Sequence, residues 1–100
     1  MSDCNLVTIC GVITKLEKPR FTPAGIMIAE LELDHQSSQL EAGIQRQIIC
    51  RLHVTGIADI AKKMISFGTG DHVKLTGFLT LKSRMSSQLV LHANSIEAVL

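Results

Sequence analysis

One hundred residues make one domain, 1–100, with room for a single core. A hydrophobic content of 46% and a mean hydropathy of +0.29 exclude a disordered chain, and no apolar run approaches the roughly 20 residues of a membrane span. Ten Lys and Arg against nine Asp and Glu give a net charge of +1, so a site for a polyanion can arise only by segregating charge onto one face. The three cysteines, Cys4, Cys10 and Cys50, are odd in number and unpaired in spacing, which argues for a reducing compartment. Met1-Ser2-Asp3-Cys4-Asn5 has no basic start and no long apolar stretch after it, so no secretory signal is read there and a cytoplasmic setting is expected.

The first strand is expected over Asn5 to Glu17, nearly all apolar or small, with Gly11 marking a bend or bulge. Lys18-Pro19-Arg20-Phe21-Thr22-Pro23-Ala24-Gly25 reads as a loop because two prolines and a glycine punctuate it. Ile26 to His35 alternates as a second strand, with Met27, Ala29, Leu31 and Leu33 inward and Glu30, Glu32 and Asp34 outward. Gln36 to Ile44 is polar and reads as a hairpin tip. Gln45 to Thr55 is the third strand: Ile48, Cys50, Leu52 and Val54 point inward, and Gln47, Ile49, Arg51 and His53 outward. Between Gly56 and Phe67 the period changes. Ile57, Ile60, Ala61, Met64 and Ile65 recur at helical spacing, with Lys62 and Lys63 opposite. The turn Gly68-Thr69-Gly70-Asp71 then opens a fourth strand that alternates without fault. Val73, Leu75, Gly77, Leu79 and Leu81 share one face, and His72, Lys74, Thr76, Phe78, Thr80 and Lys82 the other. Ser83 to Ser87 is a short loop. The fifth strand runs from Gln88 to Ala93 or Ile96, with Leu89 and Leu91 on one face and Val90 and His92 on the other.

Three strands, one helix and two strands, mainly β, is the chain order of an OB-fold: a five-stranded, partly open Greek-key barrel with one short helix between strands three and four. The bend at Gly11 would let the first strand serve both halves of the barrel. An open sheet packed on a helix fits the same pattern, and the glycine placement favours the barrel.

No enzyme chemistry assembles. The histidines fall on different strands or strand ends, no Cys-x-x-Cys or His-x-x-x-His spacing exists for zinc, and no cofactor is implied. Cys50, on an apparent inward face, reads as a small core residue, and Glu30 with Glu32 as a solvated rim. What is present is a distribution of cations. On an OB-fold the outward faces of strands two and three, with the loops joining strands one to two and four to five, bind oligonucleotides. That surface gathers Lys18 and Arg20 from the first loop, Ile49 and Arg51 from strand three, Phe78 and Lys82 from strand four, and Arg84 from the last loop. Arg46, of opposite parity to Arg51, lies near the hairpin tip, within reach of a bound strand. Cations recruit phosphates by releasing counterions, and aromatic rings stack on bases. With no Trp, no Tyr and three Phe, only Phe78 is placed on a strand face, and its alternative role is packing in a dimer interface or against the last strand.

Several short stretches carry a resemblance: Asn5-Leu6-Val7, Thr22-Pro23-Ala24-Gly25-Ile26, Leu33-Asp34-His35-Gln36-Ser37, Glu41-Ala42-Gly43, Arg46-Gln47 with Cys50, Gly77-Phe78-Leu79 and Val90-Leu91-His92-Ala93. In this order and spacing, over nearly the full length, the chain resembles the primosomal replication protein N (PriB) family. These are small bacterial OB-fold proteins related to single-stranded DNA-binding protein. The resemblance implies a cytoplasmic homodimer that binds single-stranded DNA in replication restart, assists the primosomal helicase PriA, and hands over to DnaT or another primosome component. It carries basic loop roles to Arg20, Lys82 and Arg84, and the aromatic after the strand-four glycine to Phe78. The departures are Ile49 where some members place a stacking Trp, Ile44 where they carry Phe, Gln36 and Gln88 at basic positions, and a shorter last loop. Two other readings stand beside the DNA-binding one. One is an OB-fold protein-interaction module of the primosome with incidental DNA binding. The other is an RNA-binding domain of cold-shock type, against which the missing aromatic cluster counts.

Overall fold

The computed structural model describes residues 3–100; Met1 and Ser2, on which the reading of the N-terminus partly rests, lie outside them. In chain order the elements are β1 (Val7–Leu16), β2 (Arg20–Phe21), β3 (Met27–Glu41), β4 (Ile44–Ile57), α1 (Asp59–Met64), β5 (His72–Leu81) and β6 (Leu89–Ala98). The five expected strands are β1, β3, β4, β5 and β6. A two-residue strand, β2, is added inside the proline loop, with Arg20 opposite Ile28 and Phe21 opposite Met27. The strand order is β1-β5-β6-β4-β3-β2, and β1 also pairs with β3, so the sheet closes into a barrel and the open-sheet alternative falls.

Closure depends on β1 changing partners along its length. Residues 7–12 pair with β5, residues 12–16 with β3, and Val12 lies opposite both His72 and Asp34. A Cβ at Gly11 would collide with the Asp34 carbonyl and approach Leu33 Cγ at 2.8 Å, so only glycine lets the two strands come this close. The bulge expected at Gly11 falls instead between Ile13 and Lys15, where the β1–β3 register shifts. Past this junction β1 and β3 diverge, and His35 spans the split. Its Nδ1–H donates to the Cys10 carbonyl at 2.6 Å, and Nε2 accepts from the Ser37 hydroxyl at 2.8 Å.

The core is the inward set of the alternating strands: Ile13, Leu31, Leu33, Val54, Val73, Leu75, Leu91 and Ile96, all at 0–1% exposure. Helix α1 closes one end by adding Ala61 and Met64 to this cluster. It is shorter than the expected 56–67, because Gly56 and Ile57 still belong to β4 and Ala58, at φ 66°, makes the corner into the helix. A Cβ at Gly56 would collide with Met64 Sδ, so glycine there lets the helix seat against the strand that precedes it. Among the described residues no helix is long and apolar enough to cross a membrane.

The segment Gln36 to Ile44 is the hairpin tip expected, but most of it is strand. β3 and β4 stay paired out to Glu41 and Ile44, and Ala42 (φ 51°) and Gly43 (φ 77°) form a two-residue turn between them. This hairpin arm outruns the barrel, and the molecule measures 51 × 37 × 22 Å. The arm also corrects Cys50. Its parity with Ile48, Leu52 and Val54 holds, but full burial ends at Val54: Leu52 and Ile48 are half-buried and Cys50, between them, is exposed. On β6 the expected faces also need amending, since Val90 and Leu91 are both buried whereas Leu89 is 53% exposed, opposite the exposed Leu81 at the end of the β5–β6 ladder.

Candidate nucleic-acid interface

The register of β3 on β4 sets acids against bases across one outward face. Glu30 lies opposite Thr55, Glu32 opposite His53 and Asp34 opposite Arg51. Glu30 and Glu32 are therefore not a solvated rim. Glu30 holds Arg20 at 3.4 Å and His53 Nε2 at 3.0 Å, while Arg51 Nε reaches Asp34 at 2.9 Å and Glu32 at 3.3 Å. The hydrogen bond and charge of Asp34, with the charge of Glu32, raise the Arg51 pKa above its already high usual value. Arg46, at the arm's tip, pairs with Glu41. Three of the expected DNA-facing cations thus already have carboxylate partners. Lys18, Lys82 and Arg84 are exposed and make no ion pair among the described residues.

Two of the expected residues converge from different loops. Arg20, in β2, and Lys82, the first residue past β5, line one depression of about 240 Å³ with Glu30, His53, Thr55 and His92. A second depression, of about 250 Å³, adjoins it and is lined by Phe78, Asn94 and Ile60 of α1; Thr55, Ile57 and His92 belong to both. Along one row of the sheet, Phe78 of β5 is paired with His92 of β6, His92 with Thr55 of β4, and Thr55 with Glu30 of β3. Phe78, 39% exposed, stacks on the His92 ring with centroids 5.3 Å apart and planes at 23°. Its pairing with the last strand and its exposure coexist: one face packs on His92, and the ring still meets solvent.

The remaining expected residues lie outside this pair of depressions. Lys18 and Arg84 are exposed on the same two loops. Arg51, Ile49 and Arg46 succeed one another outward along β4, and Ile49 is 74% exposed. His53, His92, Thr55 and Glu30 enter the site unforeseen. Parity had put His53 and Glu30 on the outward face, but the register that brings them beside Arg20 is not written in any one strand. A larger depression, about 360 Å³, sits where β1 leaves β5 for β3. Its lining includes Asp34 and neither Lys nor Arg, so it does not suit a polyanion. Among the described residues no group of three His, Cys, Asp or Glu side chains is placed to hold a metal ion. The built site can seat a phosphate between Arg20 and Lys82 and present Phe78 to a base.

Comparison with known proteins gives concordant results. A family model described as "Another single-strand binding protein family" matches residues 5–95. The replication restart protein PriB of Nitrosomonas europaea is 50% identical over 95 residues, covering 95% of this chain and 88% of that protein. That of Haemophilus influenzae (strain Rd) is 33% identical over 98 residues, covering 95% and 91%. Among solved structures, PriB from Ralstonia solanacearum superposes with a TM-score of 0.83 at 26% identity, covering 94% of this chain and 96% of that one. The single-stranded DNA binding protein from Thermus aquaticus shares the fold, with a TM-score of 0.78 at 21% identity over 96% of this chain and 50% of that one.

Proposed function

The chain belongs to the replication restart protein PriB family, and from that premise we propose that it binds single-stranded DNA as an accessory of the replication-restart primosome. In this reading it is a cytoplasmic binding protein without catalytic activity. It acts as a homodimer, assists the PriA helicase, and passes the strand toward DnaT or another primosome component. The observation that carries the DNA-binding part is the meeting of Arg20 and Lys82 over the β3–β4 face, next to the exposed ring of Phe78. Lys18 and Arg84 extend the cationic rim along the same two loops, and Arg51, Ile49 and Arg46 offer a continuation along the arm.

The test is a titration of dye-labelled single-stranded and double-stranded oligonucleotides at two salt concentrations. Preferential single-strand binding that weakens with salt is expected. Equal or absent binding of both would refute the proposal. A second reading, docking of a primosome protein on this face, is favoured by one specific feature. The arm exposes Leu40, Ile44 and Ile49 and keeps Arg46 paired with Glu41, a composition suited to an apolar protein contact more than to phosphates.

A further inference from the structure

His92 has no role assigned by the sequence pattern, yet with Thr55 and Ile57 it forms the wall common to both depressions. On one side it lines the space with Arg20 and Lys82; on the other it lines the space with Phe78 and Asn94. Its backbone is clamped from below, because β5 approaches so closely that a Cβ at Gly77 would collide with the His92 carbonyl. Its ring is half-buried and stacked on Phe78 at 5.3 Å. A stacked ring held by two neighbouring strands restricts the rotamers of Phe78, so a base landing on that ring meets a surface already oriented.

The charges around His92 come from one side. Arg20 of β2, Glu30 of β3, His53 of β4 and Lys82 beyond β5 line the depression it shares with them, whereas its other side meets Ile60 of α1 and Phe78 of β5, neither charged. Glu30 is already engaged with Arg20 and His53, which leaves the His92 ring to its stacking contact with Phe78.

Resting on the single-strand reading above, we infer that His92 is the positioning residue of that site, fixing the Phe78 ring as a base platform beside the subsite of Arg20 and Lys82. Orientation of Phe78 needs only a ring at position 92.

The experiment measures binding of rhodamine-labelled oligo-dT at constant ionic strength and pH. The full chain is compared with His92→Ala and His92→Phe, each checked for folding by circular dichroism. His92→Ala is expected to bind about threefold or more weakly, because the Phe78 ring loses its support. His92→Phe should restore the affinity of the unsubstituted chain, because a ring again fixes Phe78. A folded His92→Ala chain that binds normally, or a folded His92→Phe chain as weak as His92→Ala, would each overturn the inference while leaving the single-strand reading intact. Absence of oligo-dT binding by the unsubstituted chain would overturn that reading and this inference together.

Discussion

Glu30 pairs with Arg20 and accepts from His53 at once, and so places a negative charge where a phosphate would approach. Replacing it with Gln keeps the shape and an acceptor but removes the charge. Glu30→Gln is therefore expected to release Arg20, tighten single-strand binding, and steepen its salt slope by up to about 0.7. An unchanged slope in a two-salt titration would show that Arg20 does not meet phosphate. Lys82 and Arg84 present the converse case, with no carboxylate partner among the described residues to exchange for DNA. Replacing both with Ala should weaken single-strand binding and flatten the slope by up to about 1.4. If affinity and slope hold at low salt, the phosphate track lies elsewhere. Arg51, like Arg20, is already paired: it is held by Asp34 and Glu32, so using it on DNA requires breaking a cross-strand pair that is already satisfied.

Strands β5 and β6 show how far residue patterns reach at the level of elements. The period-two run revealed an inward face because Val73, Leu75 and Gly77 are buried and Leu79 packs against the core, although Leu81, read as inward, is 46% exposed; Gly77 in its midst reads as a place without room for a side chain. The structure supplies the obstacle: a Cβ there would strike the His92 carbonyl and lie 2.8 Å from its carbon. Both are backbone atoms that no rotamer change can move, so Gly77→Ala is expected to destabilise the fold by about 2–3 kcal/mol, measured as a lower urea midpoint at unchanged m-value. A wild-type midpoint would mean that β5 and β6 can separate at this point. The double duty of β1 was legible for a similar reason, since Gly11 marked the closest approach to β3 even though the bulge itself lies at Thr14. The β3–β4 arm was not legible. Alternation reports burial only where one face is covered, and beyond Leu52 neither face of the arm is fully buried. Gln36 to Gln39 thus read as part of the hairpin tip, and Cys50 looked buried by extrapolation from Val54. The arm's outward parity nonetheless held, and it sets a test. Ile49, 74% exposed, can become Trp with little effect on stability. Ile49→Trp should strengthen single-strand binding by roughly 1–3 kcal/mol at most through stacking. Unaltered affinity in a folded variant would place the DNA track on the Arg20–Lys82 groove alone.

A compact monomer of 10.9 kDa exposes about 5,600 Å², but this molecule exposes 6946 Å², an excess of roughly 1,400 Å². A typical specific interface buries about 800 Å² from each partner, so the excess is large enough to be covered by another chain. The backbone shows where pairing is open. Among the described residues, residues 7–11 of β1 pair only with β5 and residues 35–41 of β3 only with β4, so each leaves one edge without a strand partner among them. Neither segment contains a proline, and β1 carries no charge from Val7 to Thr14, so little discourages association there. Two copies related by a two-fold axis would also address the low charge of a single face. With a net charge of +1 per chain and several cations already paired, one groove grips weakly, but two grooves engaging one strand act at a raised effective concentration. The chain is therefore expected to be a homodimer, giving twice the monomer mass by light scattering at micromolar concentration. Its single-strand affinity should rise steeply once an oligonucleotide is long enough to reach both grooves. A monomer mass that persists on concentrating the sample would defeat the dimer, and with it the avidity that lets so modest a charge hold DNA.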